Sequence, residues 1–280
     1  MSTPAAVVQT PPPGYSCLTS GYRKALVKPG AMVWSGPMPE ERAEQVAFFQ
    51  REGFFILRGL LNQGEVAELD AEVKRMAREH EKLPRIREGF DLEPQQDATR
   101  NSPTFRKIGG ITDMSAAFNR LMRQPRVTSL LADVIGPALS MYRDVVMMKP
   151  ARVGREKPWH RDSVYFPYKP KNLVSVMTAL DAATPENGCL QVVPRSHRIE
   201  QEFEHHGGDG ILKLEDSLQW QSVYLPLQAG DAVAFHSQLL HASEPNTSQQ
   251  DRRVAIITYM NPALQYTGKD APETCVKVAE

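Results

Sequence analysis

Hydrophobic and polar positions change their spacing near the middle of the chain, from a helical period to short apolar runs. Apolar residues recur at helical spacing over 40–52, 62–80 and 115–131, where a proline interrupts the last pattern. The aromatic and β-branched run 54–58 predicts a strand directly after Gly53, which is expected to end the first helix. The first half is therefore predicted to be mainly helical.

Short apolar runs separated by turn residues make up most of the second half. Asn187-Gly188 is typical of a hairpin turn, and Gly230-Asp231 marks another turn between two strands. Many short strands behind a helical first half predict a β-sandwich or a jelly roll with a helical support layer. The predicted strands cover residues 141–148, 173–180, 190–193, 222–227, 232–235 and 254–259.

Residues 1–40 carry seven prolines and no clear period, which predicts an extended N-terminal arm. Residues 84–104 are polar, lack a pattern and are expected to form a long loop. No internal repeat or second core is evident, so residues 41–280 are predicted to form a single domain.

The composition of the 280 residues is that of an ordinary globular protein, with 41% hydrophobic and 24% charged residues. Lys plus Arg and Asp plus Glu number 33 each, so no net field favours nucleic acid, and no apolar stretch suggests a membrane span. Cys17, Cys189 and Cys275 are too scattered for a disulfide framework. We expect a cytoplasmic protein with a small-molecule partner, while its oligomeric state stays open.

The candidate chemistry begins at His160-Arg161-Asp162 and continues at His241. Side chains two apart in an extended segment point to the same side, so His160 and Asp162 can reach one metal. Two imidazoles and one carboxylate are the ligands of mononuclear non-haem iron centres, which keep three positions open. His236, five residues earlier, competes with His241 for the distal position.

Longer motifs surround these residues in a fixed order. They are 53–61, 159–162, 165–168, 178–181, 185–197 and a tail of His241-Ala242-Ser243, Asn246 and Arg253-Val254-Ala255. In these motifs, the chain from about residue 48 to 259 resembles the phytanoyl-CoA dioxygenase family of iron- and 2-oxoglutarate-dependent oxygenases. The resemblance implies a double-stranded β-helix (jelly-roll, cupin-like) core, with supporting helices mostly from the N-terminal half.

The resemblance also implies that His160, Asp162 and His241 bind Fe(II), with 2-oxoglutarate and O2 as co-substrates. It selects His241 over His236 because the residues that follow His241 fit the family pattern. Related halogenases carry a small residue in place of the carboxylate. The presence of Asp162 therefore favours a hydroxylase that releases succinate and CO2.

For 2-oxoglutarate itself, the resemblance selects Arg253 over Arg252, because the family's arginine precedes an x-Ala pair. Strand neighbours point to opposite faces, so only one of the two can face the site. A guanidinium binds a carboxylate through two parallel charge-assisted bonds. Ser243 is expected beside this carboxylate. Lys107 and Met177 are further expected contacts, Met177 standing where the family often has Trp.

The substrate implied by the resemblance is a small or medium organic molecule. A secondary metabolite, a CoA thioester and an acyl group on a carrier protein all fit this description, and the sequence does not choose among them. The residues expected to form its pocket are Tyr165, Phe166, Arg161, Trp159 and Val145.

Two other functions remain open at this point. One is a non-catalytic jelly-roll protein in which the metal is structural. The other is a cupin-like metalloenzyme that does not use 2-oxoglutarate, in which Arg253 would be an ordinary ion-paired residue.

Overall fold

The computed structural model describes residues 15–17, 32–84, 89–94, 103–199, 221–269 and 275–279. Most of the expected N-terminal arm, and part of the expected loop at 84–104, lie outside these ranges. The division into an arm and one domain therefore stays a prediction.

Four of the five described helices lie where the apolar spacing predicts them, and the short helix Ile111–Met114 was not predicted. Asn62 caps the second helix with a capping box: its side chain accepts from the Glu65 amide at 3.0 Å, and the Glu65 carboxylate accepts from the Asn62 amide at 2.8 Å. None of the described helices combines the length and apolar character that a membrane span needs. The helices are α1 Arg42–Glu52, α2 Gln63–Glu79, α3 Ile111–Met114, α4 Ala116–Met122 and α5 Pro125–Ile135.

Gly53 separates α1 from the strand that follows, as the sequence predicts. Its φ of 84° is left-handed, and a Cβ atom there would collide with the His197 imidazole. The helix expected over 115–131 is divided into α4 and α5, because Pro125 begins a new helix.

The described residues also form sixteen strands. In chain order they are β1 Tyr15–Cys17, β2 Met32–Trp34, β3 Phe54–Leu57, β4 Phe90–Leu92, β5 Phe105–Gly109, β6 Leu139–Lys149, β7 Lys157–His160, β8 Tyr168–Lys169, β9 Val174–Ala179, β10 Leu190–Val192, β11 Val223–Leu225, β12 Ala232–His236, β13 His241–Ser243, β14 Arg252–Met260, β15 Gln265–Tyr266 and β16 Val276–Ala279.

Two large sheets form the body of the protein. One has the order β1-β2-β11-β10-β13-β7, and the other has the order β3-β12-β9-β14-β6-β5-β4, with β16 also paired to β6. Val192 and Leu225 of the first sheet share one buried core with Val176 and Val254 of the second. The two sheets therefore form a jelly roll, the double-stranded β-helix that the sequence predicted.

The two predicted turns are present, but the expected hairpin at Asn187-Gly188 is wrong. The 3-10 turn Pro185–Asn187 connects β9 to β10, and these strands belong to different sheets. Gly230 likewise lies between β11 and β12, which also belong to different sheets. Turn chemistry indicates where a chain reverses. In a jelly roll the strand after a turn often crosses to the opposite sheet, so the turn does not identify its partner.

Arg253, in β14, fixes helix α2 to the outer face of the second sheet. Its guanidinium donates two bonds to the Asp181 carboxylate, at 2.8 and 2.7 Å, and a third to Asp70 of α2. The hydrogen bonds to both carboxylates, that of Asp181 first, raise the pKa of Arg253 above its ordinary value. Arg253 therefore ties α2 to the sheet.

Replacing Arg253 by Leu is expected to destabilise the fold. The side chain is only 17% exposed, so solvent screens the interaction little. Its loss leaves Asp181 without its ion-pair partner and leaves Asp70 with Lys74 alone. We expect the free energy of unfolding to fall by about 2 kcal/mol, measured by chemical denaturation. Arg120→Leu is a suitable control because Arg120 pairs with Glu68 where both side chains are more than half exposed. Equal effects of the two substitutions would contradict this role for Arg253.

Candidate metal centre

The predicted metal ligands lie together at the end of one pair of strands. His160 ends β7 and lies directly opposite His241, the first residue of β13, in an antiparallel ladder. The two imidazole centroids are 4.1 Å apart. Asp162 follows in the turn after β7, and one ligand atom from each residue lies within 4.8 Å of the others. All three side chains are buried.

The hydrogen bonds of the two imidazoles leave one nitrogen of each available to a metal. His160 Nδ1 lies 2.8 Å from the Pro158 carbonyl, and His241 Nδ1 lies 2.9 Å from the Leu239 carbonyl. A carbonyl only accepts, so each Nδ1 carries the proton and each Nε2 has a free lone pair. Both Nε2 atoms lie 3.6 Å from Asp162 Oδ1. This donor set fits a divalent transition metal with open positions.

The other oxygen of Asp162 is held by a short chain of hydroxyl groups. Ser175 Oγ of β9 donates to Asp162 Oδ2 at 3.0 Å and lies 3.0 Å from Thr258 Oγ1 of β14. All three side chains are buried. The chain therefore links the metal-binding turn to two strands of the second sheet, and this orients the carboxylate.

The electrostatics of the centre favour the metal-binding protonation states. Burial opposes the ionisation of Asp162, but the two neighbouring imidazoles and Arg143 hold its pKa below its ordinary value. Burial, and next the proximity of His160, lowers the pKa of His241 to about 4. At neutral pH the carboxylate is therefore charged and the His241 imidazole is neutral, the forms that bind a metal.

His236, the competing candidate, lies outside this cluster. Its Nδ1 accepts from the Gln238 amide at 3.1 Å, and its ring contacts that of His197. His197 also approaches the Gln50 carbonyl at 3.1 Å, in keeping with the structural interpretation of the motif that it ends. The geometry therefore supports His241 as the distal candidate.

A cavity of about 500 Å³ opens over the three candidate ligands. Five residues expected around the co-substrate and the substrate line this cavity: Ser243, Lys107, Met177, Tyr165 and Phe166. Lys107 forms an ion pair with Asp91 at 2.8 Å. The Lys157 ammonium lies 5.3 Å from the centre of the Tyr165 ring.

Three further residues expected in the pocket do not line it. Arg161 is buried and donates to two main-chain carbonyls, both at 2.9 Å. Trp159 packs against a separate small cluster of Val193 and Leu240. Side chains alternate along a strand, so the residues on either side of His160 point away from the metal centre. Val145 of β6 is fully buried, and it too is absent from the cavity lining.

The arginine that faces this cavity is Arg252, which corrects the expectation for Arg253. Alternate residues of β14 share a face, and Thr258 sets which face is inward because it contacts Ser175 beside Asp162. Arg252 is six residues from Thr258 and shares its face, whereas Arg253 points outward to Asp181. Arg252 lines the cavity, and burial lowers its pKa to about 10.

Sequence reasoning missed Lys149, which lies opposite Arg252 at the end of β6. Its ammonium group lines the same cavity and donates to the main-chain carbonyls of Arg155, Ser243 and Glu244. A lysine at a strand end is usually exposed, so its type gave no signal.

Comparisons with known proteins agree with this geometry. The family model for phytanoyl-CoA dioxygenase (PhyH) matches residues 49–254. The peroxisomal phytanoyl-CoA dioxygenase of Mus musculus is 28% identical over 233 residues, which cover 75% of this chain and 65% of the mouse protein. The L-proline trans-4-hydroxylase of Streptomyces griseoviridis is 27% identical over 237 residues, covering 75% of this chain and 83% of that protein.

A solved structure extends the comparison to three dimensions. EctD from S. alaskensis with bound Fe superposes with a TM-score of 0.69 at 25% identity, covering 85% of this chain and 84% of that one. The family model spans most of the chain and includes all three candidate metal ligands. The chain belongs to the phytanoyl-CoA dioxygenase family.

Proposed function

We propose that this protein is an Fe(II)- and 2-oxoglutarate-dependent dioxygenase that hydroxylates an unactivated C–H bond of a small or medium organic substrate. The observation that carries the proposal is the buried cluster of His160, Asp162 and His241 in one cavity with a buried arginine, Arg252. The family membership and the hydroxylase relatives support it.

The cluster would hold the iron through His160 Nε2, His241 Nε2 and Asp162 Oδ1. Three ligands on one side leave the remaining positions to the co-substrate and O2. Bound iron and 2-oxoglutarate would together supply the oxidising power for C–H hydroxylation. Ser175 keeps Asp162 in place through its hydrogen bond to Oδ2, which leaves Oδ1 for the metal.

Arg252 would bind the far carboxylate of 2-oxoglutarate. Its guanidinium is buried and bonds to the Gly188 carbonyl at 2.9 Å, and within the described ranges it forms no ion pair. A buried guanidinium without a carboxylate partner is costly, and a ligand carboxylate relieves that cost. Ser243, on the same wall of the cavity, is the second proposed contact. Lys107 and Met177 remain predicted contacts.

The substrate would occupy the rest of the cavity, whose volume of about 500 Å³ suits a small or medium molecule. Tyr165 and Phe166 would form part of its wall, and both a secondary metabolite and an acyl thioester remain candidates. Asp162 fills the ligand position that a halogenase leaves to a halide, which favours hydroxylation. A structural metal site would not need Arg252 in the cavity, and a metalloenzyme without 2-oxoglutarate would need another carboxylate ligand for it.

Fe(II) binding separates the two histidines that competed for the distal position. In His241→Ala, we expect Fe(II) affinity to fall by more than about 100-fold, because a direct ligand is lost. His236→Ala should keep its Fe(II) affinity, because that ring lies outside the cluster. An anaerobic titration with Fe(II) and 2-oxoglutarate measures this through the visible charge-transfer band of the chelate. Loss of the band in His236→Ala alone would remove His241 from the proposed site.

Co-substrate kinetics separate the two adjacent arginines. Arg252→Leu should raise the KM for 2-oxoglutarate by roughly 30- to 1000-fold, as about 2–4 kcal/mol of a buried charge interaction is lost. Arg253→Leu should change this KM less than about twofold, because its guanidinium is on the outer face of the sheet. Succinate release measures both. The reverse pattern would show that Arg253 holds the co-substrate despite its pairing with Asp181.

A further inference from the structure

Two buried cations face each other across neighbouring strands beside the candidate metal centre. Lys149 of β6 and Arg252 of β14 are direct cross-strand partners, and each residue is only 5% exposed. Like charges at directly opposite positions destabilise a sheet. The pair is therefore unfavourable unless negative charge is placed close to both side chains.

The described part of the chain supplies no carboxylate in contact with either cation. The Lys149 ammonium donates to three main-chain carbonyls, and the Arg252 guanidinium donates to one. Carbonyl groups satisfy the hydrogen bonds but leave both net charges in place. The acids that act on the pair, all from beyond ion-pair distance, are Glu93, Glu156 and Asp181.

The surrounding backbone is shaped to hold this lysine in place. A Cβ atom at Gly188 would lie 2.8 Å from Lys149 Cδ, and one at Gly154 would lie 2.6 Å from Lys149 Cα. Both distances are too short for any side chain other than hydrogen. Gly188 therefore leaves room for the Lys149 side chain, and Gly154 lets the chain pass close to the backbone of β6. Burial, and next the charge of Arg252, lowers the pKa of Lys149 well below its ordinary value. A nearby anion would favour the charged form of the lysine.

We propose that Lys149 and Arg252 form a two-cation site whose counter-ion is the far carboxylate of the co-substrate. In this site Lys149 is a specificity-determining residue that makes the cavity select 2-oxo dicarboxylates over 2-oxo monocarboxylates. The proposal rests on the proposed function for the identity of the co-substrate. The Lys149 ammonium already donates its three protons to main-chain carbonyls, so it acts on the ligand carboxylate through its charge. It also acts by positioning the Ser243 carbonyl.

A matched pair of ligands tests this selectivity. 2-Oxopentanoate has the carbon chain of 2-oxoglutarate without the far carboxylate, so the ratio of their dissociation constants isolates that group. Both constants are measured anaerobically with Fe(II) through the charge-transfer band. Lys149→Gln, which keeps two donors but no charge, should lower the preference for 2-oxoglutarate on the order of tenfold. Arg253→Leu, on the opposite face of the same strand, should keep the wild-type preference.

A second measurement needs no metal, and its first comparison uses only the wild-type protein. Glutarate should raise the melting temperature of the metal-free wild-type protein more than pentanoate does at equal ionic strength, because only glutarate brings a second carboxylate. Lys149→Met, which keeps an unbranched side chain one atom shorter and without charge, should lose most of this difference. An equal effect of the two acids on the wild type would overturn the proposal, even if both Lys149 variants failed to fold.

The outcomes also separate this inference from the proposed function. A normal charge-transfer band with an unchanged ligand preference in Lys149→Gln would leave the oxygenase proposal standing and reduce Lys149 to a structural residue. A glutarate effect that requires Lys149, without any charge-transfer band, would establish the two-cation site and contradict the oxygenase proposal.

Discussion

The buried carboxylate of Asp162 is the constraint on which the arrangement of the cavity depends. An ionised carboxylate in the interior needs partners for both oxygens. The two imidazoles lie beside one oxygen, and the Ser175 hydroxyl, itself in contact with Thr258, binds the other. Because Thr258 must face inward to complete this chain, every second residue of β14 faces inward too. The metal centre thus sets the orientation of a whole strand.

That orientation separates two classes of charged side chain. On the outer face, Arg253 has two carboxylate partners and contributes to stability. On the inner face, Arg252 and Lys149 bond only to main-chain carbonyls among the described residues. A fold selected for stability alone would pair or remove such charges. Incomplete pairing of buried charge is expected where a ligand completes it, which favours this wall of the cavity as the place where a ligand binds.

Local signals predicted the jelly roll and the pair His160 and Asp162, whereas the choice of His241 came from the resemblance to the family. Apolar periodicity predicts α1, α2 and the long strands. The two-residue spacing of His160 and Asp162 predicts that both side chains lie on the same side of an extended segment. Lys107 and its strand β5 gave a weaker signal, because Phe105–Gly109 mixes charged and apolar residues. Local signals do not show which distant segments pair with each other. The sheet partner of the strand after Asn187-Gly188 could therefore not be predicted.

The choice between Arg252 and Arg253 likewise depends on contacts between distant segments. Alternation dictates that only one of two neighbours faces the cavity, but the phase of the alternation is set by Thr258 and Ser175. Asp70 and Asp181, the outer partners of Arg253, are 183 and 72 residues away along the chain. No motif around the two arginines contains that information.

The length of the connection between β13 and β14 decides which residues of β14 face inward. Asn246 is buried in it and donates to the carbonyls of Lys149 and Gln250, at 2.8 and 2.7 Å. Deleting one residue between Asn246 and Arg252 would still leave an arginine facing the cavity, because Arg253 would move into that place. The same shift would carry the Tyr259 ring to the position of the Thr258 hydroxyl. Arg253 would therefore replace Arg252 at one end of β14, while Asp162 would lose the hydroxyl chain that holds it at the other end. We expect single-residue deletions to be excluded there.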